Sequence, residues 1–364
     1  MNLTMKTEKL KEMVSRAVKG VGNNKLIPLT SLMCIEVKDN KLTLITTDAT
    51  NYLYIIEDKV VADDFYVVVD ANTFSKLISK MTCENVTLEV KSGVYVLEVK
   101  GNGNYKIELP LDENGEPIKY PDPYSKLLNV VDGGEINRST VQVILETIKP
   151  ALATTLETPC YTGYYMGKQV VATDTYKIAS MGVELFREPR LVSPELLDLL
   201  SVMTEEKIQV RTAGNDIIYK TPDCVVYGKF MEGIEDYAII PIMGLVETEF
   251  DSFCSVPKNA LLQLLDRLSL FVGMYDKNAV YLTFTQDGLQ VSSKAANGVE
   301  LINYVASDNF KDFTCAIDIQ MLINEVKAIQ NDVIEIYYGE DNAIKMTDGN
   351  ITIIVALLED DMAE

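Results

Sequence analysis

The chain contains neither histidine nor tryptophan. Without histidine it lacks the commonest general base, the commonest metal ligand and the side chain that changes charge near neutral pH. Cysteine is sparse and dispersed: Cys34, Cys83, Cys160, Cys224, Cys254 and Cys315 form no C-x-x-C pair. That spacing suits neither a zinc nor a disulfide framework, so reduced thiols in a cytoplasmic protein are expected. No apolar run approaches the ~18 residues of a membrane span. The opening Met1-Asn2-Leu3-Thr4-Met5-Lys6 lacks the basic-then-apolar layout of a secretory signal. There is no P-loop, and Gly101-x-Gly103 is too short for a dinucleotide fingerprint and reads as a hairpin turn. Asp48 and Asp174 resemble paired carboxylates, yet aspartate beside threonine in a turn is ordinarily local capping. No catalytic residue, metal site or cofactor is expected.

Positive charge is also short. Lys and Arg number 33 against 54 Asp and Glu, a formal net charge of −21. Duplex DNA carries one negative charge per ~1.7 Å of axis, so such a body cannot grip it with its whole surface. Any nucleic-acid contact must come from a local basic face. Hydrophobic content of 47% and charged content of 24% are nevertheless globular values, and 364 residues allow two or three domains.

What is present is a repeat. Val170-Val171-Ala172, then Thr173-Asp174-Thr175-Tyr176-Lys177-Ile178, reads as strand, polar turn, strand. Thr46-Thr47-Asp48-Ala49-Thr50 stands between two apolar runs in the same way, and Val291-Ser292-Ser293-Lys294 is a weaker echo. Helical spacing recurs too. Leu10, Met13, Val14 and Ala17 predict a helix over Thr4 to Val18; Val141, Ile144, Leu145 and Ile148 a second; Leu261, Leu264, Leu265 and Leu268 a third. Thr4 or Thr7, Asn137 or Ser139, and Ser255 ahead of Pro257 are the expected polar starters. A second helix follows in each third, through Phe74, Leu77, Ile78 and Met81, then Leu196, Leu199, Leu200 and Met203, then Leu322, Val326 and Ile329. Glu325 occupies an apolar slot of the last one. Each is followed by an alternating strand. The expected fold is therefore α+β, three tandem modules of two helices on antiparallel sheets. Pro- and acid-rich stretches around 111–123 and from Pro241 to Asp251 place the modules at 1–127, 128–250 and 251–364.

The three modules in this order, with Leu26-Ile27-Pro28-Leu29-Thr30-Ser31-Leu32 after the first helix and Ala172-Thr173-Asp174 before an aromatic and a basic residue, resemble the bacterial DNA polymerase III beta subunit. Leu264-Leu265-Asp266-Arg267-Leu268-Ser269-Leu270 and Gly288-Leu289-Gln290-Val291-Ser292-Ser293 are similar to the opening of that family's third domain. The resemblance implies a sliding clamp. Two subunits, head to tail, would close a pseudo-sixfold ring around double-stranded DNA, held by topology and by weak, non-specific phosphate contacts.

It implies three sets of residues. The DNA-facing set is Lys9, Arg16, Lys19, Asn24, Lys25, Lys76, Lys80, Arg138, Lys149, Lys258, Arg267 and Lys327, with Glu8 and Glu12 interrupting the first stripe. A hydrophobic groove that captures short peptides of the polymerase and the clamp loader would be lined by Tyr161, Thr173, Thr175, Tyr176, Lys177 and Ile178, by Ile239 and Ile240, and by Ile354, Ala356, Leu357 and Leu358. Homodimer closure would use Tyr105, Ile107 and Leu109 of one edge strand against Leu270 and Phe271. Two departures stand out: Thr175-Tyr176-Lys177 replaces the family's more frequent glycine, histidine, arginine, and an acidic tail, Glu359-Asp360-Asp361, follows the groove residues. The alternative reading is a three-module protein scaffold that does not encircle DNA.

Overall fold

A computed structural model describes the chain apart from residues 92, 251, 274–276, 295–296, 340–341 and 360–364. Asp251, Asp360 and Asp361 therefore lie outside the described residues. The fold is α+β, its sheets are antiparallel throughout, and one arrangement of elements occurs three times.

The first copy runs β1 (Asn2–Lys6), α1 (Thr7–Ala17), β2 (Leu32–Lys38), β3 (Lys41–Thr47), β4 (Tyr52–Asp58) and β5 (Phe65–Asp70). It continues through α2 (Ala71–Ser79), β6 (Asn85–Val90), β7 (Val96–Lys100) and β8 (Asn104–Glu108). The second runs β9 (Val131–Asn137), α3 (Arg138–Val143), β10 (Tyr164–Met166), β11 (Val170–Thr173), β12 (Lys177–Met181) and β13 (Arg190–Val192). Then come α4 (Pro194–Leu199), β14 (Lys207–Ala213), β15 (Asp216–Thr221) and β16 (Cys224–Lys229), and a connecting helix α5 (Ile239–Glu247). The third runs β17 (Ser252–Pro257), α6 (Lys258–Leu268), β18 (Ala279–Thr285), β19 (Gly288–Ser293), β20 (Val299–Ile302), β21 (Val305–Ala306) and β22 (Phe313–Asp318). It ends with α7 (Ile319–Ala328), β23 (Val333–Tyr338), β24 (Ala343–Asp348) and β25 (Ile351–Ala356).

Each copy makes two four-stranded arrays, and in the third copy β21 adds a fifth strand beside β17. One has the order β5-β2-β3-β4, β13-β10-β11-β12 or β22-β18-β19-β20; the other has β1-β6-β7-β8, β9-β14-β15-β16 or β17-β23-β24-β25. Arrays then fuse edge to edge. β4 pairs with β16, Tyr52 opposite Tyr227 and Ile55 opposite Cys224. β12 pairs with β25, Lys177 opposite Val355 and Met181 opposite Ile351. The chain accordingly folds as two compact units, Met1–Val141 with Glu195–Phe230, and Gln142–Pro194 with Met231–Glu364. The middle copy thus gives one array to each unit. The core of the first unit includes Leu32, Cys34, Tyr54, Val68, Ile218 and Val225, drawn from both fused arrays.

The first helix of each copy starts by one device. The amide of Thr7 donates to the Glu84 carbonyl at 3.0 Å, that of Arg138 to Glu206 at 2.7 Å and that of Lys258 to Asp332 at 2.8 Å. Each acceptor stands just ahead of the strand that pairs with the strand before the helix, so backbone supplies what a capping side chain otherwise would. This corrects the polar starters expected from sequence. Lys6 and Pro257 stand at the N-caps of α1 and α6 with no side-chain cap, and Ser255 lies within β17. Residues 4–6 are strand rather than helix, because the alternation around buried Leu3 satisfies β1 pairing with β6. Two of the second helices, α2 and α7, use carboxylates instead: Asp70 accepts from Thr73 N at 2.7 Å, and Asp318 from Gln320 N at 2.7 Å and Met321 N at 3.0 Å.

One further expectation needs correction. The helix through Val141 to Ile148 is α-helical only as far as Val143 and continues as a π-turn over Ile144–Ile148. Pro150 stands where the next turn would need an N–H for the Glu146 carbonyl, and its ring would clash there. The stretch from Pro241, expected as the end of the second module, lies largely in helix α5; proline is tolerated in its first turn. Replacing either capping aspartate, Asp70→Ala or Asp318→Ala, is expected to cost about 1 kcal/mol. Urea unfolding followed by circular dichroism measures it, and an unshifted midpoint would contradict the capping role.

Candidate functional site

The Thr173–Lys177 turn is built by its own short side chains. Thr173 Oγ1 donates to the Lys177 carbonyl at 2.7 Å and accepts from Thr175 N at 3.1 Å. Asp174 Oδ1 accepts from Tyr176 N at 3.0 Å and Lys177 N at 2.9 Å. The earlier turn repeats this atom for atom. Thr47 Oγ1 donates to the Asn51 carbonyl at 2.6 Å and accepts from Ala49 N, while Asp48 Oδ1 accepts from Thr50 N and Asn51 N. The two aspartates are local caps in both turns. Position three takes a left-handed backbone each time, φ 90° at Ala49 and 80° at Thr175. A β-branched residue there is strained where glycine would not be.

Strand pairing brings the C-terminal residues to this turn. Ile178 lies opposite Ile354, and Ala356 N donates to the Tyr176 carbonyl at 2.8 Å. α5 packs on β12 and β25. Ile178 and Ile354 join Cys160, Val171, Tyr237 and Ile242 in one apolar cluster, with Tyr161 and Ile239 at its margin. The Tyr161 and Tyr237 rings meet edge to face at 5.0 Å, and the Tyr237 hydroxyl donates to the Val171 carbonyl at 3.2 Å. Of the expected groove residues, Tyr161, Ile178, Ile239 and Ile354 are therefore brought together. Thr175, Tyr176 (64% exposed) and Ile240 (84%) present themselves to solvent. Thr173 is buried and holds the turn, whereas Ala356, Leu357 and Leu358 are half-buried. Leu357 and Leu358 donate through backbone N–H to the Asn342 and Ala316 carbonyls. Sequence reasoning missed Cys160, Tyr237 and Ile242; the helical register of α5 was the signal for Ile242.

Lys177 points inward rather than into a groove. Its Nζ lies 3.1 Å from Glu325 Oε1 and 3.8 Å from Asp174 Oδ2, and bonds the Pro150 carbonyl. Glu325 is completely buried, which explains a carboxylate in an apolar slot of α7. Burial pushes its carboxyl above the ordinary range, and Lys177 offsets this only in part. Both carboxylate oxygens lack a well-aligned hydrogen bond.

The expected DNA-facing cations divide into two groups. Several are committed. Lys9 pairs with Glu12 at 3.4 Å and Glu57 at 3.1 Å, and Arg16 with Glu12 at 3.3 Å and Asp223 at 2.7 Å. Arg16 Nε also donates to the Val202 carbonyl at 3.0 Å. Lys258 donates to the carbonyls of Lys327 and Ile329, and Arg267 grips Glu300 through two bonds, 2.8 Å from Nε and 2.5 Å from a terminal nitrogen. By contrast Lys19, Lys25, Lys76, Lys80, Arg138 and Lys327 are exposed; Lys149 is half-buried and engaged within the protein. Asn24 accepts from Leu26 N at 3.0 Å, shaping the loop that exposes Lys25. α1 packs beside α2 in the first unit, and α6 beside α7 in the second. Among the expected edge residues, Tyr105 and Ile107 lie on β8, a sheet edge, with Ile107 and the following Leu109 buried. Leu270 and Phe271 are exposed after α6. β20, another sheet edge, carries exposed Val299 and Leu301, which sequence reasoning did not select.

Residues 1–116 match the family model of the DNA polymerase III beta subunit, N-terminal domain. Over the whole chain the structure superposes on the DNA polymerase sliding clamp of Bacillus subtilis with a TM-score of 0.84 at 16% identity, covering 99% of both chains. The fold is that of a bacterial sliding clamp. The DNA polymerase III subunit beta of Borrelia burgdorferi, solved with a natural product, gives 0.84 at 16% identity and the same coverage. The beta subunit from Thermotoga maritima gives 0.81 at 18% identity, covering 98% of this chain and 99% of that one. No curated protein sequence matches. The resemblance read from the sequence is borne out for the first domain by the family model and for the whole length by the fold. Among the described residues, no helix is long and apolar enough to cross a membrane, and no cluster of three or more Cys, Asp or Glu could hold a metal ion.

Two consequences of this geometry can be measured. Glu325→Ala removes the partner of a largely buried ammonium and is expected to destabilise the protein by about 3 kcal/mol. The Lys177→Met/Glu325→Met pair, which buries no charge, is expected to recover most or all of that loss; a double variant worse than the single would contradict the account. Asp223 is desolvated, yet the Arg16 hydrogen bond holds its carboxyl below the ordinary value of 3.8. Its contribution is therefore present above that value and lost as pH falls through the lower folded value. Asp223→Asn is expected to flatten the acid limb of stability against pH, and an unchanged limb would remove Asp223 from its cause.

Proposed function

We propose that this chain is a DNA sliding clamp, a processivity factor that encircles duplex DNA as a head-to-tail homodimer. One observation carries the reading. Within the chain, the fourth strand of one copy pairs with the last strand of the next, β4 with β16 and β12 with β25. The same rule leaves β20 needing a last strand and β8 needing a fourth strand, each at a free sheet edge. A second copy supplies both, so β20 of each subunit pairs with β8 of the other and six modules close into a ring. Exposed Leu270 and Phe271, and Val299 and Leu301, would be covered there, as would Tyr105. Modules at 1–127, 128–250 and 251–364 are the units of that ring.

Topological holding reconciles the charge of −21 with a DNA partner, because a closed ring needs only a few weak phosphate contacts. Lys19, Lys25, Lys76, Lys80, Arg138 and Lys327 are the inner cations this reading favours, with half-buried Lys149 beside them; Lys9, Arg16, Lys258 and Arg267 are committed to protein partners. The margin around Tyr161, Ile178, Ile239 and Ile354, with Tyr176 and the half-buried Ala356, Leu357 and Leu358, forms the groove for short peptides of the polymerase and the loader. Lys177 acts there as a support for the turn, its charge spent on Glu325. On this reading the chain has no catalytic site of its own and works in the cytoplasm.

The ring is tested by mass and by topology. Native mass at micromolar concentration is expected to give a dimer, and Tyr105→Asp/Leu301→Asp, at exposed positions of the two edge strands, is expected to give a monomer. Loaded protein should stay on circular plasmid and run off linear DNA; equal escape from both would favour the three-module scaffold. Leu357→Ala/Leu358→Ala should abolish polymerase-peptide binding and keep the dimer, whereas Lys25→Glu should impair retention on DNA and keep peptide binding.

A further inference from the structure

We propose that a cavity beside α5 is a second binding site, taking a partner segment that sets carboxylates next to one aromatic or long aliphatic side chain. The cavity measures about 300 Å³ and lies within the second compact unit. Its apolar lining is Tyr165 on β10, Pro189, and Ile239 and Met243 of α5. The i, i+4 spacing of the last two puts them on one face of the helix. Tyr165 is braced from behind by the Tyr237 ring at 5.2 Å. Tyr165, Ile239 and Met243 pack on the apolar cluster that also backs the proposed groove, whereas Lys168, Gln169, Arg187 and Pro189 lie outside it.

The rim is what selects the ligand. Lys168, in the turn between β10 and β11, and Arg187 are exposed, and neither pairs with a carboxylate among the described residues. Glu188, adjacent to Arg187 in sequence, pairs with Arg190 at 3.0 Å instead. Gln169 completes the wall. Its side-chain oxygen accepts from Ser180 Oγ at 2.9 Å, which leaves the amide N–H groups to donate. Two uncommitted cations and a neutral donor around an apolar cavity reverse the sign of this acidic chain locally. Such a site steers and orients a negatively charged ligand while the cavity accepts one side chain. Nucleic acid fits it poorly, since a phosphate backbone needs a track of cations rather than a rimmed hole. The chain's own acidic tail fits it poorly as well. β25 is three strands from β10 in the sheet, roughly 14 Å away, and Leu358 is tied by its N–H to Ala316 of β22.

The absence of tryptophan provides the readout. The probe is the peptide acetyl-Asp-Glu-Trp-Asp-Glu-amide, whose indole emission is followed as the full-length protein is added, with acetyl-Asn-Gln-Trp-Asn-Gln-amide as control. The acidic peptide is expected to bind saturably and roughly tenfold more tightly than the control, as two charge-assisted contacts would give. Lys168→Glu/Arg187→Glu should weaken it by about the same factor, and Met243→Ala should weaken both peptides. Leu357→Ala/Leu358→Ala should leave it unchanged. Absent or non-saturable binding, equal affinity for the two peptides, or indifference to the charge reversal would overturn the proposal. So would loss in the Leu357/Leu358 variant alone, which would place the peptide in the groove. A tenfold gain on truncation after Glu359 would make the tail the occupant and overturn the partner reading.

Discussion

A β-strand at a sheet edge carries a row of unsatisfied N–H and C=O groups, and the architecture of this chain is a set of answers to that fact. Six arrays, one of them extended to five strands by β21, have twelve edges. β4 with β16 and β12 with β25 consume four of them by continuous backbone pairing, without a linker or a loop mediating the joint. Fusion by backbone is stiff, and it is indifferent to the side chains involved: Tyr52 meets Tyr227 at one joint and Lys177 meets Val355 at the other. This explains why the compact units follow the fused sheets and cut across the repeat in sequence. It also frames the proposed ring, in which two remaining edges, β8 and β20, are matched to each other by the rule that governs the internal joints.

Part of the charge in this protein is settled internally before any partner arrives. Glu12 alone engages both Lys9 and Arg16, and Glu300 holds Arg267 in a two-bond grip. Exposed pairs of this kind add little stability, so their main effect is to withdraw cations from the surface field. The cations left uncommitted then define where an anion is welcome. Among the described residues they include cations on helix faces, on the Lys25 loop and on the rim of the cavity beside α5. The Lys177–Glu325 pair is the extreme case. A full charge is buried to fix the base of a turn, and the outward face of that turn is left to Thr175 and Tyr176.

Much of the architecture was legible in the sequence. Helix spacing found the buried stripes of α1, α6 and α7 because a 3.6-residue period needs no tertiary information. The Thr-Asp turns were legible because their hydrogen bonds are local, closed within five residues. The helix starts were not: their acceptors, Glu84, Glu206 and Asp332, lie some seventy residues away in sequence, and no local pattern announces them. Glu325 looked like a flaw in its helix for the same reason, its partner being 148 positions earlier (325 − 177). The helical α5 hid behind Pro241, which reads as a breaker unless the helix is known to begin two residues before it.

By itself, then, the sequence determined the class of fold, the threefold repetition and the absence of histidine chemistry, since composition and periodicity are properties of neighbours along the chain. Only the tertiary structure decided which strands join, which cations stay free and which way Lys177 turns. Those outcomes rest on pairing energies between residues far apart in sequence, and a linear pattern holds no record of which distant group will be the partner.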